Sequence, residues 1–280
     1  MEIDLVIPYV NCNDQKWKKT FVDFCKSHNN MNIATLYGRR YEDDGLVKYQ
    51  LKLARKNMPF IRDIYLLVSN IEQVPSGIDD NIKIVLHKDF IPREYLPTFN
   101  STTIEMFLWN IKELGEYFIY ANDDMLPCKA LSETDFYKNG SIKMNFILNN
   151  IRECKSEFRF QCKNSYQHIC NALNLKYPQD MYIRPEHTMT PMIKSHCKEV
   201  FDLLENVIKR HIWAFRTMYQ HNQYIYPNYE KLNYRAYESN IDFLYTELTN
   251  GIDLKHQIVC INKYDMKLKP QLIEELEKLL

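Results

Sequence analysis

The run Tyr117-Phe118-Ile119-Tyr120-Ala121, followed at once by Asn122-Asp123-Asp124, constrains this chain more than any other stretch. Five consecutive apolar or aromatic residues read as a short strand buried in a core. Three polar side chains directly beyond its carboxyl end fall where ligands bind in open α/β sheets. Two adjacent acids there suit a divalent cation, with one carboxylate free to act on a proton, although Asn-Asp-Asp also suits a plain turn. Upstream, the polar turn Pro97-Thr98-Phe99-Asn100-Ser101 leads into Ile104, Phe107, Leu108, Ile111 and Leu114. Their spacing of three and four predicts a helix with one buried face, closed by Gly115.

The rest of the chain alternates in the same way. Residues 3–10, 61–68 and 82–87 read as strands, and Pro8 within the first belongs at an edge or bulge. Asp14 is placed to cap a helix carrying Trp17, Phe21 and Phe24, and a second helix is expected over 46–56, ended by Pro59. Strands alternating with helices predict a mainly parallel sheet. Residues 142–148 would add a fifth strand, antiparallel at an edge. From 154 to 248 the pattern turns helical, broken near Tyr177-Pro178, Arg184-Pro185 and Tyr226-Pro227, with Val200, Leu203, Leu204, Val207 and Ile208 as its clearest amphipathic run. Strand character returns at 258–261, and 271–280 forms a closing helix. The expected organisation is an α/β core over 1–150, a helical insertion over 151–250 and a return to the core over 251–280.

Composition narrows the function. The 36 basic and 36 acidic residues balance, which argues against wholesale nucleic-acid binding. No window approaches the roughly 20 apolar residues of a membrane span. Met1-Glu2-Ile3-Asp4 has neither the basic start nor the apolar centre of a signal peptide, so a cytoplasmic location with free thiols is expected for the eight cysteines. With six glycines and no G-x-G-x-x-G or G-x-x-x-x-G-K motif, Rossmann and P-loop sites are not expected. Asp4, near the start of a core strand, costs stability unless it is paired or lies at an exposed end. Arg39 and Arg40 sit in a charged loop and Lys52 on a basic helix face; such groups are usually solvated but also hold phosphates. His187 lies in a proline-flanked loop, and Arg216 follows Trp213-Ala214-Phe215, whose neighbours would partly desolvate a guanidinium.

Taken together, these stretches resemble the Stealth family, the sugar-1-phosphate transferases of bacterial capsules related to the catalytic subunit of the lysosomal-enzyme GlcNAc-1-phosphotransferase. The first of its four regions is similar to Ile3-Asp4-Leu5-Val6 with Val10-Asn11, Asp14 and Trp17. The second resembles the stretch 39–125, including Met58-Pro59-Phe60-Ile61-Arg62, His87-Lys88-Asp89, Leu96-Pro97-Thr98-Phe99-Asn100-Ser101 and Phe118-Ile119-Tyr120-Ala121-Asn122-Asp123-Asp124. The third is similar to 187–194 with Phe215-Arg216 and Gln223-Tyr224-Ile225-Tyr226, and the fourth to Val259-Cys260-Ile261-Asn262. The chain departs from the family at Pro8-Tyr9 in the first region, around Gln50 and Lys52 in the second, and at Lys263, where an aspartate is common.

The resemblance implies a GT-A-like α/β fold with Asp4, Asp124, His187 and Arg216 in the active site. It further implies a UDP-sugar donor and a glycan or lipid-linked glycan acceptor, used by a protein without a membrane span that sits in the cytoplasm or peripherally at the inner face of the membrane. An acceptor hydroxyl would attack the β-phosphorus and expel UMP. In that scheme Asp124 takes the proton, and Asp123 with Asp124 or Asp4 holds Mg2+ or Mn2+. Arg216 grips the β-phosphate, and His187 donates a hydrogen bond or proton to it. Arg39, Arg40, Lys52 and Asn122 retain the nucleotide. The alternative is an ordinary GT-A glycosyltransferase, which attacks the anomeric carbon and releases UDP.

Overall fold

The computed structural model describes residues 1–28, 41, 45–248 and 251–280. Its centre is a five-stranded sheet built from β1 (Ile3–Pro8), β2 (Ile61–Val68), β3 (Ile82–Leu86), β4 (Tyr117–Tyr120) and β10 (Thr190–Ile193), in the order β10-β4-β1-β2-β3. β1 pairs in parallel with both β2 and β4, β2 pairs in parallel with β3, and only β10 runs antiparallel. This is the mainly parallel, GT-A-like α/β sheet expected from the alternation of strands and helices.

Side chains alternate across a sheet buried on both faces. Leu5, Ile7, Ile64, Leu66 and Ile119 enter one core cluster, while Val6, Tyr65, Leu67, Phe118 and Tyr120 enter the other. Strands covered on both sides carry continuous apolar runs, which is why these segments stood out in the sequence. Helix Gln15–Ser27 begins at Asp14, whose carboxylate accepts the Trp17 N–H at 2.6 Å. It buries Trp17, Phe21 and Cys25, leaving Phe24 half-buried. Helix Leu46–Asn57 stops before Pro59, as expected.

Several expectations are corrected. Ile104, Phe107, Leu108, Ile111 and Leu114 are all buried, yet they do not form one helix. A single turn, Ser101–Glu105, is followed by a 3-10 turn at Leu108–Asn110 and then loop. Burial of every side chain from Thr102 to Leu108 removes any need for one helical face there. Residues 142–148 do not add an edge to the central sheet. They divide between β7 (Ser141–Lys143), which pairs with β6 (Tyr137–Lys138) and β11 (Ala236–Tyr237), and β8 (Phe146–Asn150), which pairs with β9 (Met181–Pro185). The antiparallel edge is β10, whose Pro191 takes the position where a missing N–H is tolerated.

The stretch 151–250 is thus not purely helical. Helices Glu157–Ala172, Lys194–Leu203, Glu205–His211 and Ile225–Leu232 alternate there with β9, β10, β11 and β12 (Phe243–Leu248). β12 joins β13 (Ile258–Tyr264), which in turn pairs with β5 (Met125–Pro127). Among the described residues no helix is long and apolar enough to cross a membrane, and none of the eight cysteines forms a disulfide.

Buried neutral histidines give this fold an acid-side weakness. Burial lowers His87 to about 4, and burial followed by the positive potential of His168 and His211 lowers His221 to about 3. The unfolded chain protonates both near the ordinary histidine value of 6.5, so below that pH it binds more protons than the folded protein. Stability is therefore whole above about pH 6.5 and falls steadily as the pH drops toward 4. Near pH 5.5 each histidine costs about 1.4 kcal/mol. The thermal midpoint should fall between pH 7 and 5.5, and His221→Gln should flatten that slope; an unchanged slope would reject the assignment.

Candidate active site

The carboxyl ends of β1 and β4 open onto a cleft of about 760 Å³. Pro8 and Tyr9 line it from β1, and Asn122, Asp123 and Asp124 from the turn after β4. Strand pairing brings the next group in. Thr190 of β10 lies opposite Tyr120 of β4, so the antiparallel register carries His187, three residues earlier, alongside the residues that follow Tyr120. Cys260 pairs with Met125, and the neighbouring Ile261 donates its N–H to the Asp124 carbonyl at 2.9 Å. As a result, donor atoms of Asp124, His187 and Cys260 lie within 4.8 Å of one another.

Arg216 arrives through the polar turn upstream of β4. Phe99 donates its N–H to the Ala214 carbonyl at 2.9 Å, and the buried Asn100 amide donates to the carbonyls of Trp213 and Phe215 at 3.1 Å. The turn thereby straps the segment 213–216 against the cleft. Arg216 Nη2 donates to Ser101 Oγ at 2.6 Å, and the buried Glu105 carboxylate lies near enough to Arg216 to feel its charge. Glu105 accepts the Gln223 N–H at 2.7 Å and the Tyr120 hydroxyl at 3.2 Å. Burial raises its carboxyl above the ordinary range, and nearby Arg216 opposes that rise.

Two further arginines, Arg159 and Arg184, line the same cleft. Among the described residues none of the three arginines forms a carboxylate ion pair at contact distance, so their charge is available to an anion. His187 Nδ1 lies 2.6 Å from the Tyr224 hydroxyl, and the ring packs edge-on against Phe158 and Tyr245. Burial first, then the charges of Arg184 and Arg216, lowers His187 to about 4, which leaves the imidazole neutral near pH 7.

Of the residues singled out in the sequence, Asn122, Asp123, Asp124, His187 and Arg216 line the cleft. Asp4 does not. Its carboxylate lies near the amino end of β1, fully buried, and accepts Arg62 Nε at 2.9 Å, Arg62 Nη2 at 2.6 Å and the Gly115 N–H at 2.7 Å. A buried acid in a core strand has to be paired, and here the pairing partners lie far from the cleft. Gly115 leaves room for the pair: a Cβ there would stand 2.8 Å from Arg62 Nη2 and 3.0 Å from Asp4 Oδ2, so the ion pair would have to shift. Lys52 is also corrected: it projects from the exposed side of helix Leu46–Asn57 and does not reach the cleft. Arg39 and Arg40 lie outside the described residues.

Sequence reasoning missed Arg159, Arg184 and Glu105 as contributors. Phe158-Arg159-Phe160 shows the same aromatic flanking that drew attention to Arg216, so that signal was available for one of them.

A hard cation such as magnesium is commonly held by one or two carboxylates together with substrate phosphates. Asp123 and Asp124, adjacent on the cleft wall, suit that arrangement. The mixed oxygen, nitrogen and sulfur set of Asp124, His187 and Cys260 suits borderline transition ions instead. Burial, then Asp124 beside it, holds the Cys260 thiol well above its ordinary value. Cys260 therefore stays protonated beside Asp124.

The GT-A-like sheet and its cleft share their central segment with one protein family. Residues 40–145 match the model of Stealth protein CR2, conserved region 2. The chain's relatives include the capsular polysaccharide phosphotransferase fcs1 of Haemophilus influenzae, 31% identical over 221 residues, spanning 76% of this chain and 59% of that protein. The capsular polysaccharide phosphotransferase WcwK of Streptococcus pneumoniae is 37% identical over 142 residues, 49% of this chain and 41% of its own length. The exopolysaccharide phosphotransferase cps2G of Lactiplantibacillus plantarum is 30% identical over 178 residues, or 62% and 50% respectively. The chain thus spans from 41% to 59% of the length of these relatives.

Proposed function

We propose that this protein transfers a hexose 1-phosphate, with N-acetylhexosamine 1-phosphate the favoured group, from a UDP-sugar to a hydroxyl of a glycan or lipid-linked glycan. The product is a phosphodiester, the leaving group is UMP, and the setting is synthesis of capsule or cell-surface polysaccharide at the inner face of the membrane. The observation that carries this reading is the convergence of Asp124, His187 and three arginines on one cleft from separate stretches of chain. The naming of its relatives as capsular or exopolysaccharide phosphotransferases supports it.

Phosphoryl transfer needs in-line positioning and neutralised charge more than covalent help from the protein. In this reading Asp124 accepts the proton of the attacking hydroxyl as the new oxygen–phosphorus bond forms. The bond from the β-phosphorus to the bridging oxygen breaks, and its electron pair leaves with UMP. Arg216, steadied by Ser101 and by the charge of Glu105, presents its planar fork to the phosphate oxygens together with Arg159 and Arg184. His187, neutral near pH 7, contributes a hydrogen bond rather than a proton. With Tyr224 donating to Nδ1, the proton resides on Nε2 and the ring serves as a donor. Magnesium or manganese, held by Asp123, would add charge neutralisation to the diphosphate when bound.

The test is the identity of the released nucleotide across a panel of UDP-sugars with a capsular glycan acceptor. UMP is the expected product. UDP in its place would convert the reading to an ordinary glycosyltransferase, and no turnover with any donor would reject both.

A further inference from the structure

At the other end of the cleft stand two buried polar side chains that the chemistry above does not use. His87 directly follows β3, is 6% exposed, and neither of its ring nitrogens has a hydrogen-bond partner among the described residues. Thr98, from the turn before helix Ser101–Glu105, is 3% exposed, and its hydroxyl likewise has no partner among the described residues. Both line the cleft, as do Tyr9 and Trp17. Leaving a buried donor or acceptor unmet is unfavourable, so two on one cleft wall require an explanation. Nearby Gln73, by contrast, is engaged at both amide atoms, by Ser69 and by the Asn11 carbonyl, and serves to hold its loops.

Position supplies the second argument. In the central sheet β3 is three strands from β4, with β1 and β2 between. At the usual strand spacing, His87 therefore lies roughly 14 Å across the sheet from the turn bearing Asp124. A nucleoside diphosphate held by the arginines at the β4 end would extend its base toward the β3 end. Resting on the donor assignment above, we propose that His87 and Thr98 read the hydrogen-bonding edge of the donor's nucleobase, whose ring lies against Tyr9 and Trp17. A neutral imidazole offers one N–H and one lone pair, and a hydroxyl offers both. A uracil edge presents an imide N–H beside a carbonyl. The imidazole lone pair accepts the first, and the Thr98 hydroxyl donates to the second. Burial keeps His87 neutral, as this requires.

The experiment is calorimetric titration of the full chain with UDP and, separately, with inorganic pyrophosphate, magnesium being present in both. His87→Phe keeps a ring of similar size and removes both nitrogens; Thr98→Val keeps shape and removes the hydroxyl. Each should weaken UDP binding about tenfold and leave pyrophosphate binding unchanged. Unaltered UDP affinity in both variants overturns the proposal, as does an equal loss for UDP and pyrophosphate, which would signal damage to the cleft as a whole. A wild-type protein that binds pyrophosphate as tightly as UDP also overturns it. Failure of the wild-type protein to bind either ligand instead rejects the donor assignment on which the proposal stands.

Discussion

Asp124→Asn should lower the turnover rate by about a hundred- to ten-thousand-fold, the range general-base catalysis supplies, while donor affinity changes little. Asparagine keeps the size of aspartate and much of its hydrogen bonding but cannot take the proton of an attacking hydroxyl. The surroundings favour a clean result. The Asp124 backbone is held by Ile261, and Cys260 and His187 stand beside the carboxylate, so the substituted side chain keeps its place. Turnover and donor binding, measured separately, discriminate between roles because a group used only in the transition state affects rate and not binding. If donor binding is lost while turnover at saturation remains near wild type, Asp124 holds the metal or the nucleotide. The base would then have to be sought elsewhere on the cleft wall, and Asp4 would not be a candidate.

Arg62→Met should destabilise the protein by about 3 kcal/mol and leave turnover per folded molecule unchanged. Removing one member of a buried ion pair typically costs about 3–5 kcal/mol because a charge is left without compensation. Asp4 is wholly buried, but about a third of the Arg62 side chain faces solvent (35%), which places the expected cost at the lower end of that range. The Gly115 N–H would remain as the only other contact described for the Asp4 carboxylate. Denaturant unfolding gives the stability change, and turnover measured well below the unfolding transition gives the second quantity. If turnover collapsed in a protein that was still folded, Asp4 and Arg62 would have a part in the chemistry that their position does not suggest.

That pair also marks where sequence reasoning stopped. An acid in the first strand must be paired or lie at an exposed end, and this was legible from Asp4 alone. Its partner Arg62 is 58 residues away, however, and nothing local distinguishes a buried structural carboxylate from a catalytic one. The same limit applied to the cations. Arg39 and Arg40 looked suitable as phosphate contacts because they sit in a charged loop, and Lys52 because it lies on a basic helix face. Lys52 instead faces solvent, and the arginines that reach the cleft are Arg159, Arg184 and Arg216.

What the sequence determined by itself was whatever repeats or punctuates locally. The doubly buried strands announce themselves as apolar runs, Asp14 caps its helix through a bond three residues long, and Asn122-Asp123-Asp124 stands immediately after a core strand. These features follow from periodicity and short-range hydrogen bonding, and each appeared where expected. The tertiary structure decided which distant segments meet. The Thr190–Tyr120 register carries His187 to the acids, the Asn100 amide draws Arg216 to the cleft, and β13 sets Cys260 beside Asp124. Such pairings depend on complementary backbone edges and on buried amides finding carbonyls more than a hundred residues away. No pattern in a short window of sequence encodes them.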